Sequence, residues 1–87
     1  MQVGIIKVDA QGYDAAVLRG AARTLLEHLP LVIYEDNLLP HEQRHGRFLN
    51  ALLADHGPQY NYTCACDEAD CRCAPLHAKP ELASLLF

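Results

Sequence analysis

No apolar stretch in this chain approaches the roughly 20 residues that a membrane-spanning helix needs. Basic residues are also scarce. Lys and Arg number 7 against 11 Asp and Glu, a formal net charge of −4, and no basic stripe gathers them. That balance argues against an electrostatic nucleic-acid footprint. The N-terminus MQVGIIKVDAQG has no charged segment followed by a long apolar block, so no secretory leader is expected. Internal repeats and low-complexity tracts are missing as well. Cysteine is absent from the first 63 residues, and all four cysteines lie between Cys64 and Cys73. Secreted mini-proteins spread their thiols to staple several loops, whereas one local hairpin would be stapled here. The distribution favours a soluble, cytoplasmic chain.

What is present describes a folding polypeptide. Hydrophobic residues make up 51% of the 87, with five prolines and five glycines. A chain this short forms one small domain and buries only about 60–65% of its unfolded surface, so its core is marginal. Val3 to Val8 is a β-branched run broken only by Lys7, the pattern of a strand buried on both faces in a parallel sheet. Asp14 stands where a helix N-terminus favours an acid. From there Val17, Leu18, Ala21, Ala22, Leu25, Leu26 and Leu29 draw one helical stripe, which Pro30 ends.

Leu31 to Tyr34 is a second apolar run, closed by Glu35-Asp36-Asn37. Strand, helix and strand make a βαβ unit with an expected right-handed crossover. A further helix is predicted after Pro40 through Asp55, with Phe48, Leu49, Leu52 and Leu53 inward, stopped by His56-Gly57-Pro58. An alternating β pattern then runs from Tyr60 through the cysteines. The predicted order is β-α-β-α-β-β, an α/β fold.

In open parallel sheets, ligands bind beyond the carboxyl ends of the strands. Asp9, Gln11 and Gly12 follow the first strand, and Glu35, Asp36 and Asn37 follow the second. These residues outline a polar crevice, with loop capping as the plain alternative. Lys7 lies inside an apolar run, where a charge needs a partner, and Glu35 is the nearest candidate.

The stretch Ile5-Ile6-Lys7-Val8-Asp9-Ala10-Gln11-Gly12-Tyr13-Asp14, then Val17-Leu18-Arg19-Gly20-Ala21, resembles the central motif of FkbM-type methyltransferases. That motif reads roughly I-K-x-D-x-[EQ]-G-x-[ED]-x-x-V-L-x-G-A, and Pro30 to Glu35 continue it. The match is close over 3–37 and looser over 38–60. Gln11 stands where an acid is commoner, which bears on any role needing a negative charge there.

The resemblance implies a class I, Rossmann-like fold that uses S-adenosylmethionine, a seven-stranded sheet with helices on both faces. This chain would supply strands four to seven, the C-terminal part of the fold. Residues 1–78 would form the partial domain, 59–77 a cysteine-bearing hairpin and 79–87 a tail. The family holds the methyl donor with a Gly-rich loop and an acid ahead of this region, and no G-x-G occurs here. Met1 directly before a strand reads as a truncation, and the fragment is expected to be inactive alone. In the complete enzyme Asp9 would act on the acceptor hydroxyl, with Lys7 and Gln11 orienting groups around it. Gly12, Glu35, Asp36 and Asn37 would line the crevice. Asp9, Asp36 and Asn37 also resemble the Mg²⁺ ligands of catechol-type O-methyltransferases, since a hard cation takes oxygen ligands and lowers a hydroxyl's pKa.

Two further constellations compete for function. His41-Glu42-Gln43-Arg44-His45 matches the zinc-protease pattern H-E-x-x-H, but Pro40 puts it at a helix start and Arg44 sets a cation beside the metal. Phe48 and Ala51 stand where the extended form has Gly and a third His. Chance is the better account. In Cys64-x-Cys66-x4-Cys71-x-Cys73, a hairpin turning at Asp67-Glu68-Ala69-Asp70 sets Cys64 opposite Cys73 and Cys66 opposite Cys71. All four sulfurs then share one face. Two disulfides, a structural zinc site and free buried thiols all fit this spacing. Asn61-Tyr62-Thr63 has the spacing of a glycosylation sequon, though its strand-like setting and the lack of a leader argue against use.

Three function classes follow. The first is part of a methyltransferase acting on a hydroxylated small molecule or sugar. The second is a non-catalytic module stapled by zinc or disulfides, and the third a metalloprotease. A two-stranded parallel core without its neighbours leaves an open edge, so self-association of the isolated chain is expected.

Overall fold

In a computed structural model the chain is described over residues 4–9, 13–35, 39–68 and 70–76. Strand β1 (Ile5–Lys7) leads to helices α1 (Asp14–Gly20) and α2 (Ala22–His28), then to β2 (Leu31–Glu35). A 3-10 turn (His41–Gln43) precedes helix α3 (Arg47–Leu53), and two more 3-10 turns (Ala54–His56, Pro58–Tyr60) lead to β3 (Tyr62–Cys66) and β4 (Asp70–Pro75).

The four strands form one mixed sheet in the order β1-β2-β4-β3. β1 and β2 are parallel, Lys7 standing beside Ile33, while β4 is antiparallel to both β2 and β3. The last strand among the described residues therefore lies inside the sheet. Helices are packed on the face that carries Val32, Tyr34, Cys71 and Cys73. There Leu18 of α1, Leu25 of α2 and Phe48, Leu49 and Leu53 of α3 complete a single buried cluster. Fully burying a Leu or Phe contributes about 1.5–3 kcal/mol, so this face is the main source of stability.

Several expectations are corrected here. The strand read as buried on both faces is not: Ile5 is 53% exposed and Lys7 is exposed, because among the described residues β1 is an edge strand with helices over one face only. Thr63 and Arg72 on that second face are exposed too, whereas Leu31 and Ala74 are buried. Lys7 is exposed, and among the described residues it makes no ion pair with Glu35. The long first helix divides at Ala21, directly after Gly20, which favours no single backbone conformation. The hydrogen-bond ladder runs across the break, since Ala21 N–H donates to Val17 O and Leu25 N–H to Ala21 O, each at 3.0 Å. Val17, placed on the inward stripe, is exposed.

The helix predicted from Pro40 to Asp55 is α-helical only over Arg47–Leu53. His45 and Gly46 take positive φ values of 62° and 84°, which interrupt any helix entering from Pro40. Phe48, Leu49 and Leu53 are buried as expected, and Leu52 packs against them half-buried. The observed order is β-α-α-β-α-β-β, a small α/β fold.

Candidate active-site crevice

Parallel pairing sends the carboxyl ends of β1 and β2 to the same edge of the sheet. Leu31 N–H donates to Gly4 O at 2.9 Å and Val8 N–H to Ile33 O at 2.8 Å, so the pairing reaches one residue beyond β1 at each end. Two residues past the Lys7–Ile33 pair stand Asp9 and Glu35. Asp9 is exposed and Glu35 half-buried.

The two loops are tied together by a residue that the sequence reading used only as a helix-start acid. Asp14, in the first turn of α1, is 2% exposed, and its Oδ2 accepts the backbone N–H of Glu35 at 2.9 Å. A buried carboxylate is costly unless it is bonded, and the backbone N–H at the end of β2 supplies such a bond. The bond fixes the start of α1 against the strand end that leads into Asp36 and Asn37. Only the acid's place within the motif, between Gly12 and Val17, could have signalled this.

Gln11, Gly12, Asp36 and Asn37 lie outside the described residues, and the proposed Mg²⁺ set of Asp9, Asp36 and Asn37 depends on two of them. Among the described residues no three His, Cys, Asp or Glu side chains are grouped as a metal site requires.

The protease-like pattern does not form its site. His41–Gln43 is a 3-10 turn, Arg44 is extended at ψ 173° and His45 is left-handed. Two His four apart bind one metal only on an unbroken α-helix, where they share a face. The reading of these histidines as exposed first-turn residues of a helix is corrected on the same ground. Both are exposed, but no α-helix carries them.

The cysteine hairpin has the cross-strand pairing that its spacing set out. Cys64 is bonded to Cys73 and Cys66 to Cys71, each pair with Cα atoms 4.1 Å apart. The ladder explains why these positions can be bridged. Asp67 N–H donates to Asp70 O at 3.0 Å, and Leu76 N–H to Asn61 O at 2.9 Å, so residues 67 and 70, and 61 and 76, are hydrogen-bonded pairs. Alternation makes 62–75, 64–73 and 66–71 the non-hydrogen-bonded pairs, whose side chains approach most closely. Zinc and free-thiol readings are thereby corrected: the four sulfurs are consumed in two covalent bonds.

Non-hydrogen-bonded residues turn their N–H and C=O outward. At Tyr62, on edge strand β3, both groups are taken by Asn50 of α3. Tyr62 N–H donates to Asn50 Oδ1 at 2.7 Å, and Asn50 Nδ2 donates to Tyr62 O at 3.0 Å. The Tyr62 hydroxyl donates to Pro30 O at 2.6 Å, and burial raises the pKa of that phenol. These contacts seat β3 and were not evident from the sequence.

The family model described as the methyltransferase FkbM domain matches residues 2–63, which span β1 through the start of β3. No curated protein and no solved structure matches the chain. A match over more than two thirds of the residues, containing the β1 motif, Asp14 and both parallel strands, settles kinship: the chain belongs to the methyltransferase FkbM domain family.

Proposed function

We propose that this chain is the part of a class I methyltransferase domain that handles the methyl acceptor, and that the complete domain methylates a hydroxyl of a small molecule or sugar. The observation that carries this reading is the Asp14–Glu35 bond, which ties the start of α1 to the carboxyl end of β2. S-adenosylmethionine supplies the methyl group in such a domain. The residues here do not make up a donor site, since no G-x-G loop is present, so the chain by itself is expected to transfer no methyl. Asp9, exposed at the crevice, accepts the proton of the acceptor hydroxyl, with Lys7 and Gln11 orienting the acceptor. Glu35, Asp36, Asn37 and Gly12 would line the acceptor site of the complete domain. The non-catalytic, disulfide-stapled module draws only on the two disulfides, and a stapled hairpin suits a catalytic scaffold equally well.

The test joins the donor-binding half of an FkbM domain ahead of this chain and follows labelled methyl into hydroxylated acceptors. Asp9→Asn should lower transfer by about 10²–10⁴-fold, the usual worth of a general base, while donor binding is kept. An unchanged rate would remove Asp9 from the role. Donor binding by the present chain alone would overturn the division of labour between the halves.

A further inference from the structure

We propose that Cys66 is a thiol-exchange site, at which a small thiol or dithiol opens the Cys66–Cys71 bond while Cys64–Cys73 stays closed. Both bonds join edge strand β3 to inner strand β4, but their surroundings differ. Cys71 and Cys73 are both 0% exposed, whereas Cys64 and Cys66 of β3 are half-buried, so an attacking thiolate approaches from the β3 side. Cys64 is roofed. A Cβ built on Gly46 would stand 2.5 Å from its Sγ and 2.7 Å from its Cβ, so the backbone ahead of α3 fills the space over that sulfur. Gly46 is held in place because its C=O accepts Asn50 N–H at 3.2 Å, and Asn50 in turn grips Tyr62.

Cys66 has no such roof from Gly46 and stands at the turn end of the hairpin. It is the last residue of β3 and precedes exposed Asp67 and Glu68. Beyond it the turn is closed by Asp67 N–H to Asp70 O and by Asp70 N–H to Asp67 Oδ1 at 2.8 Å, on an exposed tip. Exposed ladder ends open more readily than packed interiors. The tip also lies at the crevice end of the sheet, since Asp70 pairs with Glu35.

An incoming thiolate forms a new S–S bond with Cys66 Sγ, and the Cys66–Cys71 bond breaks, its electron pair leaving on Cys71 Sγ, which takes up a proton. A second thiol, or the other arm of a dithiol, attacks the mixed disulfide and frees Cys66 as a thiol. Two electrons pass from the small thiols to the protein disulfide. Cys64–Cys73 and the Asn50–Tyr62 bonds still hold β3 on the sheet, so the hairpin tip loosens while the core stays formed.

The test treats the oxidised full chain with limiting dithiothreitol under native conditions, quenches with N-ethylmaleimide and maps the labels by tandem mass spectrometry. The first doubly labelled species should carry Cys66 and Cys71, in roughly tenfold excess over Cys64 and Cys73, as access-limited exchange requires. With reduced glutathione, the first mixed disulfide should sit on Cys66. Two paired variants provide an independent comparison. Cys64→Ser with Cys73→Ser retains the outer bond, which should be reduced faster than the inner bond retained by Cys66→Ser with Cys71→Ser. Prior opening of Cys64–Cys73, simultaneous opening of both bonds, a mixed disulfide on Cys71, or four free thiols after oxidation would each overturn the proposal.

Discussion

The carboxylate of Asp14 holds the backbone N–H of Glu35, 21 residues further along the chain, at 2.9 Å. One side chain thus couples the first turn of α1 to the end of β2. Asp14→Ala should cost about 1.5–3 kcal/mol, the range for a hydrogen bond to a charged group, read from denaturant melts. Asp14→Asn keeps an acceptor oxygen and should cost less. Hydrogen exchange at the Glu35 amide should speed up in Asp14→Ala; protection equal to that of the parent chain would show that the bond does not exist in solution.

Two glycines should respond in opposite directions. A Cβ at Gly20 would meet nothing within 4 Å, and the residue closes α1. Gly20→Ala should therefore raise stability by up to about 1 kcal/mol through helix propensity alone. Gly46→Ala combines a φ of +84° with a clash against Cys64, so a loss of about 2–4 kcal/mol is expected from strain and overpacking together. Equal thermal midpoints for the two variants would refute this contrast.

Tyr62 predicts an alkaline limb. In the unfolded chain its phenol ionises near pH 10, whereas burial in the fold disfavours the phenolate and raises that value. Above about pH 10 the folded state binds more protons than the unfolded one. Its contribution to stability is thus complete below pH 10 and is lost as the pH climbs beyond it. Tyr62→Phe should flatten that limb and, at pH 7, cost about 1 kcal/mol for the lost bond to Pro30 O. The same alkaline decline in both chains would assign it to other groups.

The legible parts were those with a local period. Alternation along β3 and β4, with a mirrored spacing of cysteines about one turn, sets out which cysteines face each other, while their bonding as two disulfides came only with the structure. The motif around Lys7, Asp9 and Gly20 likewise carried the family kinship. What was illegible depended on distant partners. An acid at a helix start and an amide on a helix face look ordinary until Glu35 and Tyr62 come within reach of Asp14 and Asn50. The burial assigned to Ile5 assumed cover on both faces of the sheet, which periodicity alone cannot supply. The helix predicted through His45 failed because φ at two successive residues, His45 and Gly46, turned positive.

The placement of β4 has a consequence for biosynthesis. Residues 32–35 of β2 and residues 62–66 of β3 both pair with a strand that begins only at Asp70. A nascent chain that has emerged as far as β3 therefore holds two strands waiting on either side of an empty slot. Until Asp70–Pro75 leave the ribosome, Val32 and Tyr34 have no neighbour on that side, and their backbone groups present an unpaired edge. Termination ahead of Asp70 would thus remove the keystone and not a margin, and the earlier residues would be left to chaperones or to one another.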